Sequence, residues 1–448
     1  MELKEIHNVY FVGIGGIGMS ALASYFVKNG KQVAGYDKTP STVTDALLSQ
    51  GVLVEFEDEV NKIPSSFFDA RQTLVVYTPA IPKDSEILNY FTNHEFQVLK
   101  RAAVLGQITK SSICYAVAGT HGKTTTSSIL GHIMHVCGTG ATSFMGGVTE
   151  NYNSNLILGG DQISVVEADE FDRSFLQLFP NVACITNMDA DHLDIYGEKE
   201  VLEASFKEFA NKVSHTLIVK KGLPIKGLTY GVEEDADYQA LNVRIENGSF
   251  IFDVKTPFSE VKDVVFHLPG RHNVSNALVS IAMAEKHGLS LNDIKNSLKT
   301  YKGVKRRFSY KIKESNFVLI DDYAHHPTEI TAVENTVREM YPNQKILVVF
   351  QPHLFTRTRD FIDDFAKSLS KFDEVVLLDI YPAREMPIAG VNSELLLSKI
   401  KNKNVSLQTK KQVVEIVKNT DATVVVMLGA GDIGVLVEEI TKEILIAS

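Results

Sequence analysis

The sequence "ICYAVAGTHGKTTTSSILGHIMHVCG", residues 113–138, carries the clearest indication of the fold class. An apolar run rich in strand-forming residues leads into a glycine-containing turn, and a helical pattern follows at once. The turn ends in Gly122-Lys123-Thr124 like a nucleotide-binding P-loop, but Val117 stands where G-x-x-x-x-G-K-[ST] has its first glycine. Backbone N–H groups at the start of a helix bind phosphate, so the junction predicts a phosphate site. The alternative is a turn that only caps the helix.

The same strand–turn–helix pattern recurs on both sides of this stretch. It begins the chain at "VYFVGIGGIGMSALASYFVKNG" (9–30), which the strand "KQVAGYD" (31–37) follows. The last third adds four strands with polar ends: "FVLIDDYAHHP" (317–327), "KILVVFQPH" (345–353), "EVVLLDIYPA" (374–383) and "ATVVVMLGAGD" (422–432). Strands that alternate with helices predict α/β architecture with doubly wound parallel sheets, whose ligands lie beyond the carboxyl ends of the strands.

The length of 448 residues is too great for one hydrophobic core. Breaks near Gly106 and Gly303 predict three domains, at residues 1–106, 107–303 and 304–448. Within the middle domain, residues 220–268 have shorter runs and an "NG" pair at 247–248, which predicts a small β-rich portion.

Composition excludes several function classes. A net charge of −10 and a pI near 5.8 argue against a nucleic-acid partner. Three widely separated cysteines predict neither a disulfide framework nor a zinc site. No apolar run reaches the roughly 18 residues of a membrane span, so we expect no membrane association and a cytoplasmic location.

Two acidic segments follow further strands. "ISVVEADEFD" (163–172) ends in Glu167, Asp169 and Glu170, and oxygen ligands beside a P-loop suit Mg²⁺. "CITNMDADHLDIYG" (184–197) is either a second metal site or a set of helix-capping aspartates. Its candidate ligands are Asp189, Asp191, His192 and Asp194.

Two further glycine motifs match the dinucleotide fingerprint G-x-G-x-x-G. One has Gly13, Gly15 and Gly18 with Asp37 further on, and the other is "GAGDIG" at 429–434. Two such sites and a P-loop cannot all hold NAD, so the fingerprint predicts only that polar groups approach the backbone there. The clusters "DDYAHHPTE", "FQPHLFTRTRD" and "IYPAREMPIAG" are either site residues or solvated surface.

Together these motifs resemble the Mur ligases, the ATP-dependent amide-forming enzymes of peptidoglycan precursor synthesis. The resemblance spans nearly the whole chain. Its motifs are "FVGIGGIGMS", "AGTHGKTTT", "EADEFDRSF", "TNMDADHLDIYG", "GRHNVSNALVSIAMA", "KRRF", "DDYAHHPTEI", "QPHLFTRTRD", "AREMPIAG" and "GAGDI". The family's loop is the shorter G-T-x-G-K-T form, which accounts for Val117.

The resemblance implies three domains: an N-terminal Rossmann-like domain for a UDP-sugar, a central P-loop ATPase with a parallel sheet, and a C-terminal Rossmann-like domain that completes the site. It implies the substrates UDP-N-acetylmuramate, L-alanine and ATP, which react through an acyl phosphate. The implied cofactor is Mg²⁺, with Mn²⁺ as an alternative, and the implied assembly is a monomer or weak homodimer.

The resemblance also implies residue roles. The implied ATP-binding residues are Gly119, Thr120, His121, Gly122, Lys123, Thr124, Thr125, Asn276, Arg307 and Asp321. Those implied for the sugar nucleotide and the amino acid are Gly15, Gly16, Gly18, Asp37, Thr78, Ala80, His353, Arg357 and Arg384. The implied metal ligands are Thr124, Glu167 and His192, and the implied catalytic residues are Lys123, His192 and His326.

Two points stay open within that set. His192 is either a metal ligand or a proton acceptor for the amine. The family often has arginine after Q-P-H where this chain has Leu354, so Arg357 or Arg384 would have to contact the amino-acid carboxylate.

Three alternatives explain part of the sequence. A ligase that attaches the L-Ala-γ-D-Glu-diaminopimelate tripeptide to the same sugar would share most motifs. A nicotinamide-dependent dehydrogenase would use Gly13, Gly18 and Asp37 but leave Lys123 and Glu167 idle. A P-loop switch or motor would need no N-terminal sugar-nucleotide domain.

Overall fold

The structure is a computed structural model that describes residues 3, 5–189, 199–383 and 385–447. Its strands form three separate sheets of five, ten and six strands, in chain order. Helices alternate with most strands, so the predicted three-sheet α/β architecture is confirmed.

The first sheet is entirely parallel, with the strand order β3-β2-β1-β4-β5. Its strands are β1 Asn8–Val12, β2 Gln32–Tyr36, β3 Leu53–Glu55, β4 Thr73–Tyr77 and β5 Gln97–Lys100. Its helices are α1 Ile17–Lys28, α2 Thr42–Ser49, α3 Glu86–Asn93 and α4 Arg101–Lys110. Because β1 lies where the strand order reverses, the glycine turn after it lies at the switch point of the sheet, where α/β proteins bind ligands.

The central sheet has the strand order β15-β14-β13-β12-β11-β10-β6-β9-β7-β8. Its strands are β6 Ile113–Ala118, β7 Thr142–Thr149, β8 Ser154–Ile157, β9 Ile163–Ala168, β10 Val182–Ile185, β11 Thr216–Lys220, β12 Leu228–Val232, β13 Tyr238–Glu246, β14 Ser249–Lys255 and β15 Glu260–Phe266. Its helices are α5 Lys123–Val136, α6 Lys199–Asn211, α7 Arg271–Lys286 and α8 Leu291–Leu298. The three strands β10, β6 and β9 are parallel, so the polar residues after them meet at one edge of the sheet.

The predicted β-rich portion, residues 220–268, contains β12–β15. Asn247 and Gly248 join β13 to β14 with φ values of 52° and 74°. Positive φ at both positions is the geometry of the two-residue hairpin turn that an Asn-Gly pair favours, so this prediction is confirmed.

The last sheet has the strand order β16-β17-β21-β18-β19-β20, and only the pair β16–β17 is antiparallel. Its strands are β16 Ser309–Lys313, β17 Val318–Asp322, β18 Ile346–Phe350, β19 Glu374–Leu377, β20 Val405–Leu407 and β21 Val424–Leu428. Its helices are α9 Pro327–Met340, α10 Phe355–Asp360, α11 Ile362–Leu369, α12 Ser393–Lys399, α13 Lys410–Asn419 and α14 Ile433–Ala447. All four strands predicted in the last third of the chain are present.

Contacts divide the chain into two compact units. The first comprises Met1–Asn242, Phe252–Val264 and Ser275–Lys302, and the second comprises Val243–Ile251, Val265–Val274 and Gly303–Ser448. The predicted boundary at 106–107 lies inside the first unit, whose core joins residues from both of its sheets. The domain limits at 106 and 303 therefore stay predictions.

Two cysteines lie in the interior of the central sheet. Cys114 in β6 and Cys184 in β10 are fully buried, whereas Cys137 after α5 is only partly covered. Burial raises the pKa of the Cys114 thiol to about 12. Over the described part of the chain, no helix is both long and apolar enough to cross a membrane.

Candidate active site

The P-loop joins β6 to α5 and depends on two glycines. Gly119 has φ +134°, and a Cβ there would lie 2.0 Å from Thr186 Oγ1. Gly122, the N-cap of α5, has φ +83°, and a Cβ there would lie 2.7 Å from Asn276 Oδ1. Glycine is therefore required at both positions. The predicted ATP-binding Asn276 lies directly against the loop at Gly122.

Polar contacts from the turn after β10 hold the loop. Asn187 Oδ1 accepts a hydrogen bond from the His121 backbone N–H at 2.9 Å, and the Thr120 hydroxyl donates to the Asp189 carbonyl at 2.9 Å. Asp189 Oδ2 also lies 3.6 Å from His121 Nε2. Asp189 therefore contributes to loop structure, and its metal-ligand role stays a prediction.

Lys123 is held by a buried carboxylate. Its ammonium donates to Glu170 Oε2 at 2.7 Å and Oε1 at 3.0 Å, and to the Gly119 and Thr120 carbonyls at 2.8 and 3.2 Å. The Glu170 side chain has no exposed surface, and that of Lys123 is 11% exposed. Although burial favours the neutral amine, the carboxylates around it, Glu170 foremost, hold the pKa of Lys123 above its ordinary value. The lysine is therefore cationic, and its ammonium lies against the loop carbonyls.

The two predicted metal ligands that the structure describes lie together. The Thr124 hydroxyl donates to Glu167 Oε2 at 2.8 Å, and the Gly146 backbone N–H donates to the same oxygen at 2.9 Å. A Cβ on Gly146 would lie 2.3 Å from that oxygen, so Glu167 needs glycine opposite it. Thr125, also assigned to ATP, is buried in the first turn of α5.

This donor set fits a magnesium ion. Mg²⁺ takes one or two protein oxygens together with substrate phosphates and water, and a hydroxyl beside a carboxylate supplies such a pair. In the described ranges, no group of three or more His, Cys, Asp or Glu side chains could hold a metal. His192, Asp191 and Asp194 lie outside the described residues.

The glycine turn of the first sheet is closed by Asp37. Its Oδ2 accepts a hydrogen bond from the Gly15 backbone N–H at 2.7 Å. Gly16 is the N-cap of α1 and has no side-chain cap, which leaves the N–H groups of the first turn for a ligand. The Gly15 N–H itself donates to Asp37, so the role of Gly15 toward the sugar nucleotide stays a prediction.

Other predicted sugar-nucleotide residues border this turn. Thr78 packs against Gly13, where a Cβ would lie 2.9 Å from Thr78 Cγ2, and Ala80 is exposed in the turn that follows β4. Arg101, which sequence reasoning missed, lies over Gly18 with Nη1 2.5 Å from where a Cβ would be.

In the second unit, the Arg306 side chain packs against the "GAGDIG" turn. Arg306 Nη2 donates to the Gly429 carbonyl at 2.5 Å, and its Nε lies 3.4 Å from Asp321 Oδ1. A Cβ on Gly434 would lie 2.8 Å from the Arg306 Cζ. The carbonyl side of this turn thus binds the Arg306 guanidinium.

The two adjacent arginines have different partners. Arg307, a predicted ATP-binding residue, lies 3.8 Å from Glu329 Oε1. The guanidinium groups of Arg306 and Arg307 each lie 5.2 Å from the Tyr323 ring centre. Burial raises the pKa of the predicted ATP-binding Asp321.

The two histidines after β17 have different ring neighbours. His326 is the N-cap of α9: its Nδ1 accepts from the Thr328 N–H at 3.3 Å, and its ring packs on Phe361 at 4.8 Å. His325 instead lies 6.0 Å, ring to ring, from His353. Of these two histidines, His325 is thus the one with a described ring contact to the predicted His353, and the catalytic role of His326 stays a prediction.

Of the other residues predicted to contact the substrate amino acid, Arg357 lies beside His353. Arg357 Nη1 lies 3.4 Å from His353 Nδ1, and the His353 ring stacks on Tyr381 at 5.8 Å. Leu354 is buried at the N-cap of α10 with φ +72°, a conformation that is strained for leucine. Arg384 lies outside the described residues.

Sequence reasoning missed Glu170 as the partner of Lys123, and also Arg101, Arg306 and His325. For Glu170 the acidic run after β9 was a signal, and for Arg306 and His325 the adjacent arginine and histidine were signals. No local pattern marks Arg101, because its contacts come from residues far away in sequence.

Comparisons with known proteins cover almost the whole chain. The family model "Mur ligase family, catalytic domain" matches residues 8–112, "Mur ligase middle domain" matches 117–284, and "Mur ligase, glutamate ligase domain" matches 306–436. The UDP-N-acetylmuramate–L-alanine ligase of Flavobacterium psychrophilum is 59% identical over 446 residues, with 99% of each chain covered. That of Christiangramia forsetii is 55% identical over 447 residues, with 99% of each chain covered.

Solved structures show the same architecture. A UDP-N-acetylmuramate–alanine ligase from Thermotoga maritima superposes with a TM-score of 0.84 at 27% identity, covering 98% of this chain and 100% of that one. A murein peptide ligase from Psychrobacter arcticus has a TM-score of 0.70 at 22% identity, covering 97% and 98%, which shows the common fold.

Proposed function

Because this chain belongs to the Mur ligase family, we infer that it joins L-alanine to the lactyl carboxylate of UDP-N-acetylmuramate with cleavage of ATP to ADP and phosphate, in peptidoglycan precursor synthesis. The observation that carries this inference is 59% identity to a UDP-N-acetylmuramate–L-alanine ligase over 99% of both chains. The P-loop geometry supports the ATP part, since Lys123 lies buried at its mouth.

The chemistry requires activation, because a carboxylate is a poor electrophile. The lactyl carboxylate attacks the γ-phosphorus of ATP, the bond to the β,γ-bridging oxygen breaks, and ADP leaves. The alanine amine then attacks the acyl carbon of the resulting acyl phosphate. The tetrahedral intermediate collapses, inorganic phosphate leaves, and the amine proton passes to a base.

The first step brings two anions together, and the P-loop residues would offset that repulsion. The Lys123 ammonium and the first-turn N–H groups of α5 would hold the phosphates. Thr124 and Glu167 would hold Mg²⁺, or Mn²⁺, which neutralises phosphate charge when bound. When ATP binds, the Lys123 ammonium would turn from the Glu170 carboxylate to the phosphate.

The second step needs a neutral amine and an oriented amino acid. Arg357 and His353 lie close enough to share a carboxylate, which supports placing L-alanine beside them. His192 and His326 stay the predicted proton acceptors, and the position of His325 beside His353 supports adding it to them.

We place this reaction in the cytoplasm, where ATP is supplied, with small-molecule substrates. A monomer or weak homodimer with no nucleic-acid or membrane partner completes the proposal. Sedimentation of the purified chain would test the assembly.

The function is tested by phosphate release from Mg-ATP with UDP-N-acetylmuramate and either L-alanine or the L-Ala-γ-D-Glu-diaminopimelate tripeptide, with products identified by mass. We expect release that needs both sugar and alanine, and one alanyl adduct. Turnover with the tripeptide but not with L-alanine would mean that the chain is the ligase of peptide recycling. Release that ignores the sugar would refute the ligase function.

A further inference from the structure

Arg101 occupies a place that a glycine creates for it. It is the first residue of α4, and Gly18 is the second residue of α1. A side chain at Gly18 would meet the guanidinium, since a Cβ there would lie 2.5 Å from Nη1 and 3.0 Å from Cδ. The guanidinium is thus held against the first turn of α1, directly after the glycine turn.

This guanidinium is positioned but weakly paired. Its charged partner is Asp169, whose Oδ2 lies 3.9 Å from Nη2, beyond hydrogen-bond distance. Within the described ranges, its side chain donates no hydrogen bond, although an arginine carries five N–H donors. The preceding Lys100 differs, because it donates to Asp172 at 3.0 Å.

The charges around the turn call for a cation there. The Asp37 carboxylate already lies at the turn, bonded to the Gly15 N–H, and a diphosphate would add further negative charge. Among the described side chains nearest to the turn glycines Gly13, Gly15, Gly16 and Gly18, that of Arg101 is the cationic one. A guanidinium matches phosphate oxygens in charge and in two-pronged geometry.

We propose that Arg101 binds the diphosphate of the sugar nucleotide and leaves Asp169 to do so. The proposal deepens the inferred function and rests on it, because the ligase substrate is what brings a diphosphate to this turn. Asp169 then acts as the resting partner that holds the guanidinium in place until the substrate arrives.

The test is calorimetric titration with uridine 5′-diphosphate, in the presence of saturating ADP so that the P-loop is occupied. We expect Arg101→Ala to weaken UDP binding by about tenfold to a hundredfold, as loss of charge-assisted hydrogen bonds does. Arg101→Lys keeps the charge and should recover part of the affinity. Asp169→Asn removes the competing carboxylate and should leave UDP binding equal or tighter.

Lys100→Ala is the matched control, since it removes the same charge one residue away and should leave UDP affinity unchanged. ADP affinity should be unchanged in Arg101→Ala, which shows that the fold is intact. Equal UDP affinity in Arg101→Ala and the wild type would overturn the proposal. So would an Asp169→Asn variant whose UDP affinity falls as much as that of Arg101→Ala. No UDP binding by the wild type would overturn the sugar-nucleotide function itself, and this proposal with it.

Discussion

Glu170 Oε2 lies 2.7 Å from Lys123 Nζ, and neither side chain is more than 11% exposed. A buried ion pair that loses one partner leaves an uncompensated charge, which costs about 3–5 kcal/mol. We therefore expect Glu170→Ala to lower the free energy of unfolding by about that amount, and Glu170→Gln by less because the amide oxygen still accepts a hydrogen bond. Since the chain has no tryptophan, urea unfolding followed by circular dichroism is the measurement.

Lys62→Ala is the control for that pair. Lys62 lies 2.8 Å from Glu57, but both side chains are largely exposed, at 40% and 60%. We expect no measurable loss from it, because solvent screens exposed pairs. Equal losses in Glu170→Ala and Lys62→Ala would contradict the burial argument.

Glu167 and Thr124 share one hydrogen bond, and we expect both to affect the magnesium requirement. Glu167→Gln should lower turnover by about a hundredfold or more and raise the Mg²⁺ concentration needed for half-maximal rate. Thr124→Ser keeps the hydroxyl and should stay within a few-fold of wild type. Phosphate release over a Mg²⁺ titration measures both, and an unchanged Mg²⁺ requirement in Glu167→Gln would argue for a different ligand.

Gly119 and Gly138 separate steric clash from backbone strain. Both have positive φ, but a Cβ at Gly119 would lie 2.0 Å from Thr186 Oγ1, whereas nothing lies within 4 Å at Gly138. Gly138→Ala should cost about 1–2 kcal/mol, the strain alone. Gly119→Ala should cost more and should abolish ATP binding. Thermal midpoints and ATP titrations of the two variants would test this, and similar values for both would refute the clash.

His325 and His326 should fail in different ways. His326→Ala removes an N-cap and should cost about 0.5–2 kcal/mol of stability, which His326→Asn should restore because asparagine caps well. His325→Ala should lower kcat/KM for L-alanine by about a hundredfold or more, the usual scale for a general acid or base. If His326→Asn is stable but inactive, His326 is the proton acceptor and His325 is not.

His132, buried in α5, should make the fold acid-sensitive. It contacts the Tyr152 hydroxyl at 2.7 Å, the Thr300 hydroxyl at 2.9 Å and the Ser297 carbonyl at 3.1 Å. Burial lowers the pKa of His132 below its ordinary 6.5. The unfolded chain therefore takes up a proton first as the pH falls, and stability present above pH 6.5 is lost below it, by at most about 1.4 kcal/mol per pH unit.

The measurement compares thermal midpoints at pH 7.5 and 5.5 in the wild type and in His132→Gln. Other titrating groups are common to both proteins, so the difference isolates His132. The variant should lose less stability on acidification than the wild type, and an equal loss would contradict this account.

Local patterns were enough to predict the α/β class, the P-loop junction and the Asn-Gly hairpin. Each depends on residues adjacent in sequence, whose backbone geometry is set by glycine or by strand and helix spacing. The P-loop pattern and the acidic strand end also indicated Thr124 and Glu167 as magnesium ligands. The ATP role of Asn276 came only from the family resemblance, since nothing local brings Asn276 to the loop.

The direction of individual side chains could not be predicted from the sequence. Adjacent residues such as Arg306 and Arg307, or His325 and His326, have the same local pattern, and packing decides which of them faces a partner. Arg101 is the extreme case, because its contacts with Gly18 and Asp169 join three separate segments of one unit. Such residues are found from the fold, after the sheets have brought distant turns together.

Because Cys114 and Cys184 are buried in the central sheet, their reactivity reports when that sheet opens. All three cysteines of the chain lie in or beside that sheet, and the other two sheets contain none. A thiol reagent should modify Cys137 first and reach Cys114 and Cys184 only when the ATP-binding sheet unfolds. Counting modified thiols by mass over time would thus give the opening rate of one sheet, where a melting curve averages over three, and nucleotide should slow only the last two additions.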